Sequence, residues 1–269
     1  MKIPFTKAHG ARNDFLLTWR QELPDALNDL ATVAVAICDR HTGVGADGWL
    51  LLSPGTGVIE DGSIELWNSD GSRSEISGNG TRCAAALLVE AHAAEGEVRI
   101  ATGAGIKHLR LLERNGHEFS FEMNMGSATM EELHASMEGR DCTILNVGNP
   151  QCVFPVEDFD FEWQALGARV ERHPRFPNRT NVSFMRVVDR HTLDVRFFER
   201  GAGETMSSGT GSTGAAAAAM ARELVQTPVR VLTPAGPLAL RLEKGAILLA
   251  GPAELIASGE FFWKGTDSK

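Results

Sequence analysis

Two short stretches of this chain read as copies of one local design, and any fold must accommodate both. Ser77-Gly78-Asn79-Gly80-Thr81-Arg82 runs into Cys83-Ala84-Ala85-Ala86-Leu87-Leu88. Ser208-Gly209-Thr210-Gly211-Ser212 runs into Thr213-Gly214-Ala215-Ala216-Ala217-Ala218-Ala219-Met220. Each is a serine, a Gly-x-Gly turn and then an alanine-rich helix with no charged face. A helix of that composition is buried all round, which puts its N-terminus inside a domain. Unsatisfied backbone N–H groups and the positive end of the helix dipole gather there, and glycine lets a ligand come close. Two such ends predict two anion pockets facing each other across a cleft. Ser77 and Ser208 would then lie on opposite sides of one small carboxylate-bearing molecule.

The rest of the chain frames these helices in the same way twice. Strands are predicted at 3–8, 15–19, 49–52, 63–67, 98–102, 107–113 and 117–124. A second set is predicted at 143–147, 152–156, 182–188, 191–198, 229–232, 238–242 and 247–249, with further helices at 26–40 and 162–172. Strands, one buried helix, then strands, repeated, is an α+β pattern of two related halves and not a βαβ array. The interval 126–139 is polar and methionine-rich without a clear period, so the domain boundary is placed there. The expected domains are 1–126 and 127–261, with a tail at 262–269 returning to the first domain.

At 269 residues, 43% hydrophobic and 23% charged, the chain has ample material for two cores. A formal net charge of -9 argues against nucleic acid or an anionic membrane surface as a partner. No segment has the length and apolarity of a membrane span or a signal peptide. Cys38, Cys83, Cys142 and Cys152 lack CxxC spacing and read as buried free thiols in a reducing cytoplasm. The eight histidines are scattered, so no metal site is expected.

Two proton carriers flanking a carbon suit chemistry in which one removes a proton and the other delivers it to the opposite face. The helix amides would stabilise the charge that builds on the carboxylate meanwhile. Ordinary roles are available for every residue concerned. Ser77 and Ser208 are N-caps in any case, and Asn13, Asn68, Asn149 and Asn181 are each plausible turn formers. Glu199-Arg200 reads either as a surface ion pair or as a clamp, Arg200 on a substrate carboxylate and Glu199 on an ammonium. The joint occurrence favours a site.

The motifs then resemble the diaminopimelate epimerases, within the cofactor-independent amino-acid racemases, epimerases and isomerases. The resemblance is carried by Lys7-Ala8-His9-Gly10 with Asn13-Asp14-Phe15, by Arg40-His41-Thr42-Gly43-Val44-Gly45-Ala46-Asp47-Gly48, and by Asn68-Ser69-Asp70-Gly71-Ser72. It continues through Gly78-Asn79-Gly80-Thr81-Arg82-Cys83, Gly148-Asn149-Pro150, Asn178-Arg179-Thr180-Asn181-Val182-Ser183-Phe184, Glu199-Arg200-Gly201-Ala202-Gly203-Glu204-Thr205 and Gly209-Thr210-Gly211. The order is the family's and nearly the whole chain is covered. The resemblance implies two similar domains, each a curved, mostly antiparallel sheet around a central helix. It also implies a small-molecule amino-acid substrate, no cofactor (neither pyridoxal phosphate nor metal), and a homodimer. By position, Asn13, Asn68, Asn149, Asn181, Glu199 and Arg200 would hold the distal end of diaminopimelate. The amides of Gly78, Asn79, Gly209 and Thr210 would hold the carboxylate at the reacting carbon.

The departures from the family pattern fall on the catalytic positions. Its two acid/base cysteines align with Ser77 and Ser208, its histidine after Asn-Pro with Gln151, and a common glutamine with Gly48. A thiol is brought toward neutrality by a helix N-terminus far more readily than an alcohol. Three readings follow. The first is an isomerase, epimerase or dehydratase whose serines carry protons, with a diaminopimelate-like substrate. The others are a Cys-to-Ser inactivated variant and a non-catalytic amino-acid-binding protein.

Overall fold

Trp49-Leu50-Leu51-Leu52 shows no polar alternation because the strand it forms is covered on both faces. In the computed structural model, which describes residues 1–265, this strand lies in the first of two units, Met1–Glu122 together with the residues from Pro252 onward. The unit's elements are β1 (Lys2–Gly10), β2 (Asn13–Trp19), α1 (Leu30–Cys38), β3 (Gly48–Pro54), β4 (Gly62–Asn68), β5 (Arg73–Ser74), α2 (Gly78–Glu90), β6 (Glu97–Thr102), β7 (Gly105–Asn115) and most of β8 (Glu118–Asn124). Trp49 and Leu51 pack with Val33, Ala34 and Ile37 of α1. Leu50 faces the other way, against Gly80 of α2. Every residue of α2 from Asn79 to Val89 is buried, and the helix packs against β1, β2, β3, β4 and β6.

The second unit, Met123–Gly251, holds β9 (Thr129–Met137), β10 (Arg140–Asn146), β11 (Pro150–Pro155), α3 (Trp163–Glu171), β12 (Asn181–Asp189), β13 (Thr192–Glu199), β14 (Gly203–Thr205), α4 (Gly209–Ala221), β15 (Val229–Thr233) and β16 (Gly236–Glu243). It also holds the start of β17 (Ala246–Phe262). Trp163, Leu166 and Val170 of α3 pack on Ile144, Phe154 and Phe184. Ala215 to Ala219 of α4 are buried, and Gly211 and Gly214 bring that helix against Phe197 and Gln151.

Strand pairing repeats element for element. In the first unit β1–β2 is antiparallel, β2–β3 parallel across α1, β3–β4 and β4–β5 antiparallel, β4–β6 parallel across α2, and β6–β7 antiparallel. In the second, β10–β11, β11–β12 across α3, β12–β13, β13–β14, β13–β15 across α4 and β15–β16 follow the same order and directions. The fold is therefore α+β, two similar mostly antiparallel domains each built on a buried helix.

Some expectations need correction. The interval 126–139 is mostly strand: β9 pairs with β10, and register shifts at Cys142/Ile144 and Ile144/Leu145 break the two-residue alternation that would have revealed it. The last strand does not stop at 249 but continues to Phe262, pairing with β16 through Ala250 and with β1 from Glu254 onward. The chain thus returns to the first unit at Pro252, ahead of the expected 262. Residues 256–258 are exposed and carry no apolar rhythm, which hid this stretch. Trp263 donates its N–H to Met1 O at 2.8 Å, while residues 266–269 of the expected tail lie outside the described residues. The helix expected at 26–40 is confined to α1, which starts after an Asp29 cap accepting from Thr32 N. The short strands β5 and β14 carry no sequence signal. All four cysteines are free and buried. Among the described residues no helix is long and apolar enough to cross a membrane.

Candidate active site

The two buried helices begin identically. Ser77 and Ser208 are both extended (φ -130°, ψ 122° and φ -137°, ψ 122°) and both helices run 13 residues. Ser77 Oγ accepts from Gly80 N at 3.1 Å and Ser208 Oγ from Gly211 N at 3.0 Å. The N-cap role is real at both positions. It also fixes each serine oxygen by an amide and leaves its hydrogen to be placed elsewhere.

In the first unit the neighbours of Ser77 form a chain of amides. Asn79 is buried and donates from Nδ2 to Asn13 Oδ1 at 3.1 Å, and Asn13 Nδ2 donates to Asp47 Oδ2 at 2.6 Å. Asp47 and Asp14 are in turn bridged by Arg40. Burial works to raise the Asp14 pKa, but hydrogen bonds from Arg40 and Lys7 outweigh it and hold the carboxyl below the usual range. Asn13 is delivered by a two-residue turn in which Ala11 and Arg12 both take left-handed backbone (φ 50° and 60°). Neither residue is the Asn or Gly such a turn favours, and the strain sits beside a candidate site residue. Asn68 stands apart, donating to Ser72 Oγ at 2.9 Å within its own turn. Gly78 opens α2 with its amide at the helix end.

In the second unit the candidates fall into three hydrogen-bonded groups, around Glu199, around Asn181 and around Asn149. Ser208 Oγ donates to Glu199 Oε2 at 2.7 Å, and Thr205 Oγ1 donates to Glu199 Oε1 at 2.6 Å. Burial raises the Glu199 pKa above the ordinary glutamate value, and the two hydroxyls oppose that shift. Glu199 and Arg200 form no ion pair with each other: Arg200 Nη1 donates to Asn178 O at 3.3 Å, and Arg200 N to Asn181 Oδ1 at 3.0 Å. The surface-pair reading of these two residues is therefore wrong. Asn181 Nδ2 donates to Pro150 O at 3.1 Å. Asn149 Oδ1 accepts from Gln151 Nε2 at 2.6 Å, and Asn149 Nδ2 reaches Thr210 Oγ1 at 3.4 Å. Gly209 and Thr210 form the first turn of α4.

Four residues that shape these networks were not among the candidates. Thr205 and Asp47 lie inside motifs already singled out, so their spacing from Glu199 and Asn13 was the available signal. Arg82 was visible in the same way. Glu171 was not, because a glutamate in the last turn of a helix reads as surface. It is buried, pairs with Arg172 and Arg179, and accepts from Gly201 N at 3.2 Å, tying α3 to the turn after Glu199. Among the described residues no group of three His, Cys, Asp or Glu side chains is gathered as a metal site.

A family model described as diaminopimelate epimerase matches residues 5–131 and 143–256. A diaminopimelate epimerase of Pelotomaculum thermopropionicum is 37% identical over 276 residues, covering 96% of this chain and 98% of that protein. One of Microcystis aeruginosa is 36% identical over 280 residues, covering 96% and 99%. Among solved structures, a Bacillus anthracis phenazine biosynthesis protein of the PhzF family superposes with a TM-score of 0.74 at 14% identity, over 98% of this chain and 100% of that one. A probable proline racemase of Agrobacterium radiobacter superposes with a TM-score of 0.73 at 15% identity, over 99% and 94%. At those identities the structural likeness concerns the fold.

Proposed function

Because this chain belongs to the diaminopimelate epimerase family, a family of isomerases, we propose that it removes and returns a proton at the α-carbon of a diaminopimelate-like amino acid, with Ser77 and Ser208 on opposite faces of that carbon. The observation that carries the reading is the Ser208 hydroxyl, which receives the Gly211 N–H and gives its own hydrogen to Glu199 at 2.7 Å. An alcohol alone is too weak an acid to serve as a thiol does, so a serine needs a carboxylate behind it. Ser208 Oγ takes the α-proton as its own proton passes to Glu199. The pair of electrons left on carbon delocalises into the substrate carboxylate, where the amides at the helix N-termini stabilise it. Among the described residues Ser77 makes no hydroxyl donation and has no carboxylate behind it, so the opposite face receives the Ser77 proton as Oγ takes one from a solvent water, and the hydroxide left is neutralised by the proton Glu199 gives up. Asn13, Asn68, Asn149, Asn181 and Arg200 hold the distal end; the amides of Gly78, Asn79, Gly209 and Thr210 hold the reacting carboxylate. Glu199, given to the distal ammonium by the family pattern, is assigned here to Ser208.

The same reading makes the protein a cytoplasmic homodimer, in keeping with four buried free thiols. The test is incubation with LL-diaminopimelate in deuterated water. Solvent deuterium at the α-carbon, with the meso isomer appearing, is the expected result. Calorimetric binding with no exchange would instead establish an amino-acid-binding protein, and would end the catalytic reading.

A further inference from the structure

Arg82 stands where elementary energetics argue against an arginine. It lies one turn into α2, fully buried, and among the described residues no carboxylate is within ion-pair distance of it. A cation near the N-terminus of a helix opposes the helix dipole, and a buried charge without a counter-charge carries a heavy desolvation cost. That desolvation pulls the guanidinium pKa down to about 10. The fold does not require the residue: counted from the serine caps, the matching position of α4 is Thr213, whose hydroxyl turns back to Gly209 O at 2.8 Å.

What Arg82 does engage is Asn79. Nη2 donates to Asn79 Oδ1 at 2.5 Å, Nε donates to Pro252 O at 3.1 Å, and Nη1 is buried without a partner. The Asn79 amide is thereby turned, its oxygen toward Arg82 and its Nδ2 toward Asn13 Oδ1 at 3.1 Å. A guanidinium with no carboxylate to neutralise it adds positive potential to that of the helix end. We infer that Arg82 is a positioning residue for the substrate carboxylate: it locks Asn79, and its charge reinforces the N-terminal amides of α2 as negative charge builds on the substrate. This rests on the proposed isomerase reading. It also accounts for the asymmetry of the two helices, since only α2 carries a cation at this place.

The test compares Arg82→Met and Arg82→Lys with the unaltered protein, by calorimetric affinity for LL-diaminopimelate, α-proton exchange and Tm. Arg82→Met is expected to weaken binding by about tenfold or more, the usual scale for losing a charge-assisted hydrogen bond. Its Tm should hold or rise, because an unpaired buried cation is gone; a purely structural role predicts a fall. If Arg82→Met lowers Tm as well, Arg82→Lys decides. Lysine keeps the charge and loses the planar fork, so it should fold natively and bind with intermediate affinity. Unaltered binding and exchange in Arg82→Met, or native affinity in Arg82→Lys, would overturn the inference and leave the isomerase reading standing. An unaltered protein that neither binds nor exchanges the amino acid would instead remove that reading, and the inference with it.

Discussion

At the scale of the residue, the proposed chemistry concentrates on one hydroxyl and one carboxylate. Ser208 is an ordinary helix cap until its hydrogen is followed to Glu199, and Glu199 is an ordinary strand-end glutamate until Thr205 and Ser208 are seen to converge on it. Burial raises its pKa, so ionisation of this proposed base falls at a pH above the roughly 4.3 of a free glutamate. Exchange should therefore rise with pH through that raised pKa. The sign for stability is opposite. The folded state holds this proton more tightly than the unfolded chain, so its contribution is full below the unfolded pKa and lost as pH rises through the folded one. Glu199→Gln should cut α-proton exchange by about 10²–10⁴-fold, the usual weight of a general base, and should abolish the acid limb. A pH–rate profile of the glutamine variant that still shows that limb would mean another group is the base. The sequence exposed both residues but not their partnership, because a hydrogen bond between positions 199 and 208 depends on how the turn through Gly203 folds back.

At the scale of the element, the buried helices are held by close approach at glycine. A Cβ on Gly211 would lie 2.7 Å from Phe197 Cδ1, whereas one on Gly80 would meet Leu50 Cδ1 and Phe15 Cζ at 3.3 Å. Alanine favours a helix over glycine by up to about 1 kcal/mol, while overpacking a core costs about 1–3 kcal/mol. The clash should win at Gly211 and come close to balance at Gly80. Urea denaturation should show Gly211→Ala less stable than Gly80→Ala by about 1 kcal/mol or more; equal stabilities would mean the two helices are not seated by these contacts. The helices were legible because composition alone demanded full burial. Strand β9 and the second half of β17 were not, since register shifts in one and solvent exposure in the other erase the apolar period. Glu171 shows the same limit from the opposite side, as a charge made internal by tertiary contacts that no local pattern announces.

At the scale of the whole molecule, each unit carries charge pairs that tie its stability to acid in the same direction. Hydrogen bonds from Arg99 lower the Asp61 pKa in the first unit, and those from Arg222 lower Asp141 in the second. Asp14 is lowered too, its arginine and lysine partners outweighing burial. Groups depressed in this way contribute stability above the unfolded aspartate value of about 3.9 and lose it as pH falls through the folded one. The urea midpoint should therefore drop steeply below about pH 4, and a midpoint unchanged there would show these pairs to be inconsequential. Two related halves are legible from the two helix entrances, but the order in which the strands pair and the chain's early return at Pro252 are not. The central claim is that both entrances serve one amino acid, and titration calorimetry with LL-diaminopimelate tests it most directly. One molecule should bind per chain, with Asn68→Ala in the first unit and Arg200→Met in the second each weakening it by about tenfold or more. Two independent molecules per chain, or full affinity after either substitution, would contradict the account.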